Sequence, residues 1–210
     1  MAPYAGASAA KAPKPPKAGQ VTLTSSAPII TFGQKDTLSG QLKGGKAAGV
    51  TVQLQQQPAP FTGAFKNVAG GSATTDGQGK FSFTVQPQLS TKYRAVAKAS
   101  PTVTSPELTL PVRFKVTLRL SDCTPARGAR VRFSGTTVPA HDGATVYIQR
   151  RTSTGGYRTV SRAVLHHTGG NFSTYSKRIR VRANGVFRAR VRGDAQHATG
   201  TSRAKHARVH

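Results

Sequence analysis

Arginine is the residue type with the clearest chemical potential in this sequence, because it recurs at every second position in several stretches. The stretch from Lys177 to Asp194 reads KRIRVRANGVFRARVRGD, and a shorter alternation occurs in RVRF from Arg130. Guanidinium groups make planar, forked hydrogen bonds to phosphate, sulfate and carboxylate. The candidate polyanion contacts are Arg130, Arg132, Arg178, Arg180, Arg182, Arg188, Arg190 and Arg192.

The same alternation is also what any strand with one buried face produces. In this interpretation Phe187, Ala189 and Val191 take the inward side of their strand, and the arginines between them face water. Neighbouring cations on one face lie about 7 Å apart, and in water they repel by about 0.6 kcal/mol, which a fold tolerates without a ligand. Three interpretations stay open for the arginines: a solvated surface with weak attraction for polyanions, a selected contact with the cell envelope, and a contact with nucleic acid.

The charge of the chain is strongly positive and unevenly distributed. Its 210 residues include 31 Lys and Arg against 6 Asp and Glu, which gives a formal net charge of +25. Residues 1–113 carry 12 basic residues, ten of them Lys, whereas residues 114–210 carry 19, of which 16 are Arg. Charge of this size concerns partners and solubility, not the fold. It is compatible with nucleic acid, anionic cell-wall polymers, acidic glycans or a lipid surface as partner.

Patterns of catalytic or metal-binding residues do not occur in the sequence. All six histidines lie in the second half, and the adjacent pair His166-His167 would point to opposite faces of a strand. No HExxH motif, P-loop or GxSxG motif is present, and the six acidic residues are scattered. The single cysteine, Cys123, is expected to be a small buried residue and not a nucleophile. We therefore expect no enzymatic activity, no metal site and no cofactor.

An internal repeat organises the chain. The segment Val21–Gly40, VTLTSSAPIITFGQKDTLSG, aligns with Val116–Gly135 at a shift of 95 residues. Further along, GVTVQLQQQ aligns with GATVYIQRR, and KYRAVA aligns with VFRARV, both at a shift of 94 residues. Three blocks in almost one register predict a tandem duplication.

Each copy has the periodicity of β-strands. Val52 and Leu54 alternate with glutamines, and Phe81 and Phe83 alternate with polar residues, which is typical of strands with one buried face. Turn dipeptides such as Asp-Gly and Asn-Gly separate these stretches. Because no segment has helical periodicity, we expect an all-β protein. About seven short strands in each copy is the number found in an immunoglobulin-like β-sandwich.

The motifs GxxxxLSG, GVTVQLQ, TTDGQGKFSFTVQP and STKYRAVA occur in that order in the first copy. In this order they resemble the bacterial immunoglobulin-like repeats of secreted and cell-surface proteins. The second copy, from VRFSGTTVPAHDGATVYIQRR to FRARVRGD, is similar to the partner module that often follows. The sequence lacks the Trp and the cysteine pair of antibody domains. Tyr93 occupies the place of the tyrosine corner, but Phe187 in the second copy has no hydroxyl to make that hydrogen bond.

These patterns predict a disordered Pro/Lys/Ala-rich arm at residues 1–20, a first immunoglobulin-like sandwich at 21–113 and an Arg-rich second sandwich at 114–210. The junction is expected near Pro111–Lys115. There the run LTLPVRFKVTLRL would carry the last strand of one module directly into the first strand of the next. Without a flexible linker, the pair should behave as a short stiff rod.

The expected function is that of a monomeric, non-enzymatic structural or display protein, secreted or associated with the cell envelope. Its Arg-rich module would contact anionic surface polymers or other surface proteins. The sequence contains no run of about 18 apolar residues, so we expect no transmembrane segment. If the protein is exported, the apolar core of a signal peptide would have to lie upstream of Met1. The alternative is a nucleic-acid-binding protein that uses its arginine-bearing sheet faces. Tyr147 is the best candidate for an exposed aromatic, although one such residue does not form a stacking platform.

Overall fold

The computed structural model describes residues 19–210 of the chain. In this range every regular element is a β-strand, and the main sheets are antiparallel. The predicted all-β, immunoglobulin-like sandwich fold is confirmed. Residues 1–18 of the predicted arm lie outside the described residues, and Gln20 at its end pairs with Lys43 in the first strand pair.

The first half of the chain forms two main sheets around one core, and a separate two-stranded pair. Its strands are β1 (Gln20–Val21), β2 (Thr24–Ser25), β3 (Ile30–Thr31), β4 (Asp36–Lys43), β5 (Thr51–Pro58), β6 (Lys66–Thr74), β7 (Lys80–Val85), β8 (Thr91–Ala97), β9 (Val103–Thr104), β10 (Leu108–Leu110) and β11 (Val112–Arg113). One sheet has the order β1-β4-β2, with β7 also paired to β4. The facing sheet has the order β10-β8-β5-β6, with β9 paired to β8. The short strands β11 and β3 pair in parallel.

The second half repeats this two-sheet arrangement. Its strands are β12 (Lys115–Val116), β13 (Arg119–Leu120), β14 (Arg130–Val138), β15 (Thr145–Arg151), β16 (Tyr157–Val164), β17 (His166–His167), β18 (Ser173–Arg180), β19 (Gly185–Val191), β20 (Gly200–Thr201) and β21 (Lys205–Ala207). One sheet has the order β12-β14-β18-β17, with β13 paired to β14. The other has the order β16-β15-β19-β20, with β21 paired to β19.

Each half has its own hydrophobic core, and the alternation in the sequence fills it. Val52 and Leu54 on β5 are fully buried in the first core. Phe133 on β14 and Phe187 on β19 meet edge to face in the second core, with ring centroids 5.0 Å apart. The residues predicted to face inward are therefore buried, which leaves the arginines between them on the outer faces of the sheets.

Gly40 permits a close approach inside the first core. A Cβ at this position would collide with the carbonyl oxygen of Thr22 and with the ring of Phe81 on β7. Because only a glycine leaves this space, the segment between β1 and β2 and the ring of Phe81 can both pack closely against β4.

Gly135 has the corresponding place in the second core. A Cβ there would collide with the carbonyl oxygen of Thr117 and lie 2.8 Å from the hydroxyl oxygen of Tyr175. That hydroxyl donates a hydrogen bond of 2.7 Å to the Thr117 carbonyl. The tyrosine hydroxyl that makes this hydrogen bond in the second half is therefore on β18, whereas the alignment of Tyr93 with Phe187 pointed to β19.

The two halves are joined by backbone hydrogen bonds as well as by the chain. The amide of Ala198 donates to the carbonyl of Val112 at 2.8 Å, and the amide of Ser90 donates to the carbonyl of Gln196 at 2.9 Å. His197 is buried, with its Nε2 3.0 Å from the carbonyl oxygen of Gln88 and its ring 4.8 Å from that of Phe114. A loop of the second half thus packs against the first half where the chain passes from one to the other.

The expectation that Cys123 is buried is wrong. Cys123 is exposed, in the segment between β13 and β14, and its carbonyl accepts a hydrogen bond from the amide of Arg208 at 2.8 Å. The apolar character of the cysteine was not sufficient to predict burial. Cys123 lies in the segment after the short strand β13, where the sequence does not alternate between apolar and polar residues.

Candidate functional site

The predicted arginine rows lie on opposite sheets of the second sandwich. Strands β14 and β18 carry four of the arginines, Arg130, Arg132, Arg178 and Arg180, which we call the Arg130 face. Strand β19 carries Arg188 and Arg190 on the other sheet, and Arg192 follows directly after it. Arg182 is exposed beyond the end of β18 and belongs to neither row. The positive charge therefore covers both outer faces of one module.

The Arg130 face places like charges directly opposite each other. In the register of β14 and β18, Arg130 is the partner of Arg180, and Arg132 is the partner of Arg178. All four side chains are exposed. Like charges in directly opposed positions of an antiparallel pair destabilise it. A shallow cavity of about 280 Å³ lies here, lined by three of these arginines and Ser121.

The opposite face combines arginines with aromatic rings. Tyr147 on β15 pairs in register with Arg190 on β19 and with Arg162 on β16. The guanidinium carbon of Arg192 lies 4.8 Å from the centroid of the Tyr147 ring, and that of Arg162 lies 5.7 Å from it. Both distances are within the range of cation–π attraction. We call Arg162, Arg188, Arg190 and Arg192 the Arg190 face.

Arg188 is held more tightly than its neighbours. Its guanidinium carbon is 3.7 Å from the centroid of the Tyr157 ring, and its Nε donates a 2.9 Å hydrogen bond to Oε1 of Gln149. Gln149 is itself buried, with 8% of its surface exposed. Stacking and a directed hydrogen bond together restrict the rotamers of this arginine, so less conformational freedom is left to lose on binding a ligand.

A cavity of about 250 Å³ opens at the centre of the Arg190 face, and six residues line it: Tyr147, Gln149, Thr159, Arg162, Arg190 and Arg192. Three arginines therefore border one concavity. Its other lining groups are an amide, a hydroxyl and a phenol ring, which carry no negative charge at neutral pH.

Carboxylates do not neutralise either face. Within residues 19–210 no guanidinium lies within 4.0 Å of a carboxylate. The three acids of the second half are engaged elsewhere. Asp122 accepts from the amide of Thr124, Asp142 from Ser173, and Asp194 from two backbone amides. Both arginine faces are thus without an internal counterion in the part of the chain that the structure describes.

Sequence alternation missed Arg162 for a structural reason. Tyr157 and Thr159 on β16 face the same way as Gln149, and strict alternation would then place Ser161, not Arg162, beside them. A β-bulge shifts the register between Ile148 and Gln149, so that Ile148 pairs with Ser161 and Tyr147 with Arg162. Bulges change the direction of side chains in this way. The sequence of β16 contains no residue pattern that predicts this bulge.

Larger cavities lie elsewhere among residues 19–210. One of about 770 Å³ lies between the two halves and is bordered by Arg113, Lys115, Arg203 and Lys205 among uncharged residues. Among residues 19–210 no group of three His, Cys, Asp or Glu side chains is placed to hold a metal ion. The adjacent histidines of β17 are both exposed, and His167 contacts Asp142 with 3.0 Å between Nδ1 and Oδ2.

No helix in the described range is long and apolar enough to cross a bilayer. No protein-family model matches the sequence, and no curated protein matches it. Among solved structures, the crystal structure of bovine butyrophilin is similar to this chain with a TM-score of 0.42 and 13% sequence identity. The similarity covers 88% of this chain and 98% of that one. Similarity of this extent carries no information about what the chain binds.

Proposed function

We propose that this chain is a non-enzymatic binding and display protein of the cell surface or envelope, and that its second sandwich attaches it to anionic polymers. Two tandem immunoglobulin-like modules, divided near residues 113 and 114 and derived from one duplicated unit, would form the display element. The arginine faces of the second module would supply the attachment, and the protein would act as a monomer outside the cytoplasm.

The observation that carries this proposal is the set of arginines without counterions. A surface that only needs to be soluble is served by interspersed charges of both signs. Here eight arginines on or beside two outer sheet faces have no carboxylate within salt-bridge distance inside residues 19–210. An external polyanion would neutralise them, and arginine rather than lysine favours oxyanions that can accept forked hydrogen bonds.

A binding assay over a range of salt concentrations tests the proposal. Full-length protein is titrated into fluorescently labelled long-chain inorganic polyphosphate, and anisotropy is measured from low to physiological ionic strength. We expect saturable binding with a dissociation constant of about 1 μM or below at about 0.15 M salt. The affinity should fall as salt rises, because bound counterions are released.

Duplex DNA and single-stranded DNA of equal charge provide the comparison. If neither polyphosphate nor DNA binds saturably at physiological salt, the attachment function is wrong. If DNA binds at nanomolar dissociation constants and polyphosphate does not, the protein is a nucleic-acid-binding protein instead.

A further inference from the structure

We propose that the cavity at the centre of the Arg190 face is a site for a tetrahedral oxyanion, and specifically for the phosphate groups of a polymer that carries no bases. This inference rests on the proposed function and names the ligand class and the residues. It sets the Arg190 face apart from the Arg130 face, which would contribute only diffuse attraction.

The number and placement of donors favour a tetrahedral group. Arg162, Arg190 and Arg192 come from two different strands and from the segment after β19, and all three border the same cavity. A carboxylate presents two oxygens in one plane, which a single guanidinium fork satisfies. A phosphate directs its oxygens to several sides and can use several forks at once. At about 250 Å³ the cavity has room for such a group.

The tyrosine ring holds two of these arginines in place before a ligand arrives. Arg192 and Arg162 both lie over Tyr147, at 4.8 Å and 5.7 Å from its centroid. Gln149, a buried residue of the cavity lining, accepts a hydrogen bond from Arg188 with its amide oxygen. Its amide nitrogen makes no hydrogen bond to a residue within 19–210 and so adds a donor for an anion. Preorganised donors lose less entropy on binding than free surface arginines do.

The same stacking argues against bases as the partner. Proteins that bind single-stranded nucleic acid use open aromatic faces on which successive bases stack. On this face Tyr147 is covered by Arg162 and Arg192, and Tyr157 is covered by Arg188 at 3.7 Å. A base would have to displace a guanidinium from its ring. A polymer of phosphate groups without bases can bind while each guanidinium stays on its ring.

The Arg130 face provides a matched control within the same module. It also holds four arginines and has a cavity of about 280 Å³, but its arginines oppose one another across β14 and β18. The structure describes no cation–π contact for Arg130, Arg132 or Arg178. Removing three charges from either face changes the net charge equally, so a difference between the two reports the site and not the charge.

The test compares two triple variants of the full chain, Arg162→Gln/Arg190→Gln/Arg192→Gln and Arg130→Gln/Arg132→Gln/Arg178→Gln. Binding of long-chain polyphosphate is measured at physiological salt. We expect the first variant to lose about tenfold more affinity than the second, since it removes charge-assisted hydrogen bonds as well as charge. Equal losses would overturn the site while leaving the attachment function intact. Absence of wild-type binding would instead remove the attachment function itself.

A second pair of variants keeps every charge. Tyr147→Leu removes the ring under Arg162 and Arg192, and Tyr147→Phe retains it. We expect the leucine variant to bind polyphosphate about fivefold more weakly, the size of a cation–π contribution at an accessible site, and the phenylalanine variant to bind like the wild type. Identical affinities for the two variants would contradict the role of the ring.

Small probes resolve the chemistry of the site. In NMR spectra of the full chain, we expect the Nε–H signals of the three site arginines to shift saturably with inorganic phosphate or sulfate and to respond weakly to acetate. An equal response to acetate would show that tetrahedral geometry is not selected. Tighter binding of single-stranded DNA than of polyphosphate, abolished by the site triple variant, would show that the cavity serves nucleic acid and would overturn the base-free polymer.

Discussion

At the scale of single residues, close packing in both cores depends on two glycines that have no Cβ. The hydrogen at Gly40 leaves space for the Thr22 carbonyl and the Phe81 ring. Gly135 leaves the same kind of space beneath Tyr175. In the sequence, both glycines were visible only as matched positions when the two halves were aligned. Their role needed coordinates, because a close approach between strands is not encoded in one strand alone.

Gly40→Ala tests this directly. The added methyl group would meet the Thr22 carbonyl, which cannot move without displacing a strand. We expect a loss of about 2 kcal/mol or more in the free energy of unfolding, in the range for overpacked cores, measured by urea denaturation. Gly77→Ala is the control, because a Cβ at Gly77 has no atom within 4 Å. A Gly40→Ala variant as stable as Gly77→Ala would contradict the packing argument.

Buried tyrosines make the stability sensitive to alkali. Burial raises the pKa of Tyr93 to about 12, and burial also raises the pKa of Tyr175. In the unfolded chain a tyrosine ionises near pH 10. Between about pH 10 and 12 the unfolded state therefore loses protons that the folded state keeps, and stability falls as pH rises.

Tyr93→Phe removes one ionisable group from this balance. We expect the variant to lose less of its free energy of unfolding than the wild type between pH 9 and pH 11, measured by urea denaturation at each pH. The same loss in Tyr93→Phe as in the wild type would show that Tyr93 does not contribute to it.

At the scale of elements, the period of two identified the inward faces of several long strands. Val52, Leu54, Phe187 and Ala189 are buried as predicted. It was not sufficient for the site. Arg162 reaches the cavity only through the bulge in β16, and the partners across strands depend on register, which hydrophobic alternation constrains but does not specify uniquely.

The register of β14 and β18 leads to a prediction about charge. Arg178 faces Arg132 directly, so Arg178→Glu should replace a repulsion with an attraction. We expect a gain of about 0.5 kcal/mol in the free energy of unfolding at low salt, and this gain should shrink as salt screens it. Lys98→Glu, an exposed charge reversal of equal size outside the strands, is the control. An equal gain in both variants would assign the effect to net charge alone.

At the scale of the whole molecule, the junction decides whether the two halves move together. His197 is 6% exposed, and its Nδ1 has no hydrogen-bond partner among residues 19–210. It is 3.7 Å from Oδ1 of Asp194. Its ring packs against Phe114 and its Nε2 contacts the Gln88 carbonyl. The sequence predicted that one strand leads directly into the next at this junction. It did not predict that the segment after β19, which contains His197, packs against the junction.

His197→Ala should loosen this junction. Removal of the ring eliminates two contacts with the first half, one with the Phe32 ring and one with the Gln88 carbonyl. We expect the ¹⁵N relaxation rates of the two halves to diverge as they begin to tumble separately. In the wild type and in His166→Ala, which changes an exposed histidine, both halves should share one correlation time. Unchanged relaxation in His197→Ala would show that the backbone hydrogen bonds suffice.

The central claim is that the second half, through its arginine faces, is the part of the molecule that contacts a polyanion. Backbone amide NMR of the full chain during titration with long-chain polyphosphate tests it most directly. We predict saturable shifts in β14, β15, β16, β18 and β19 at physiological salt, with β4, β5, β7 and β8 of the Lys-bearing first half unaffected. Shifts of equal size in both halves, or none that saturate, would contradict the account.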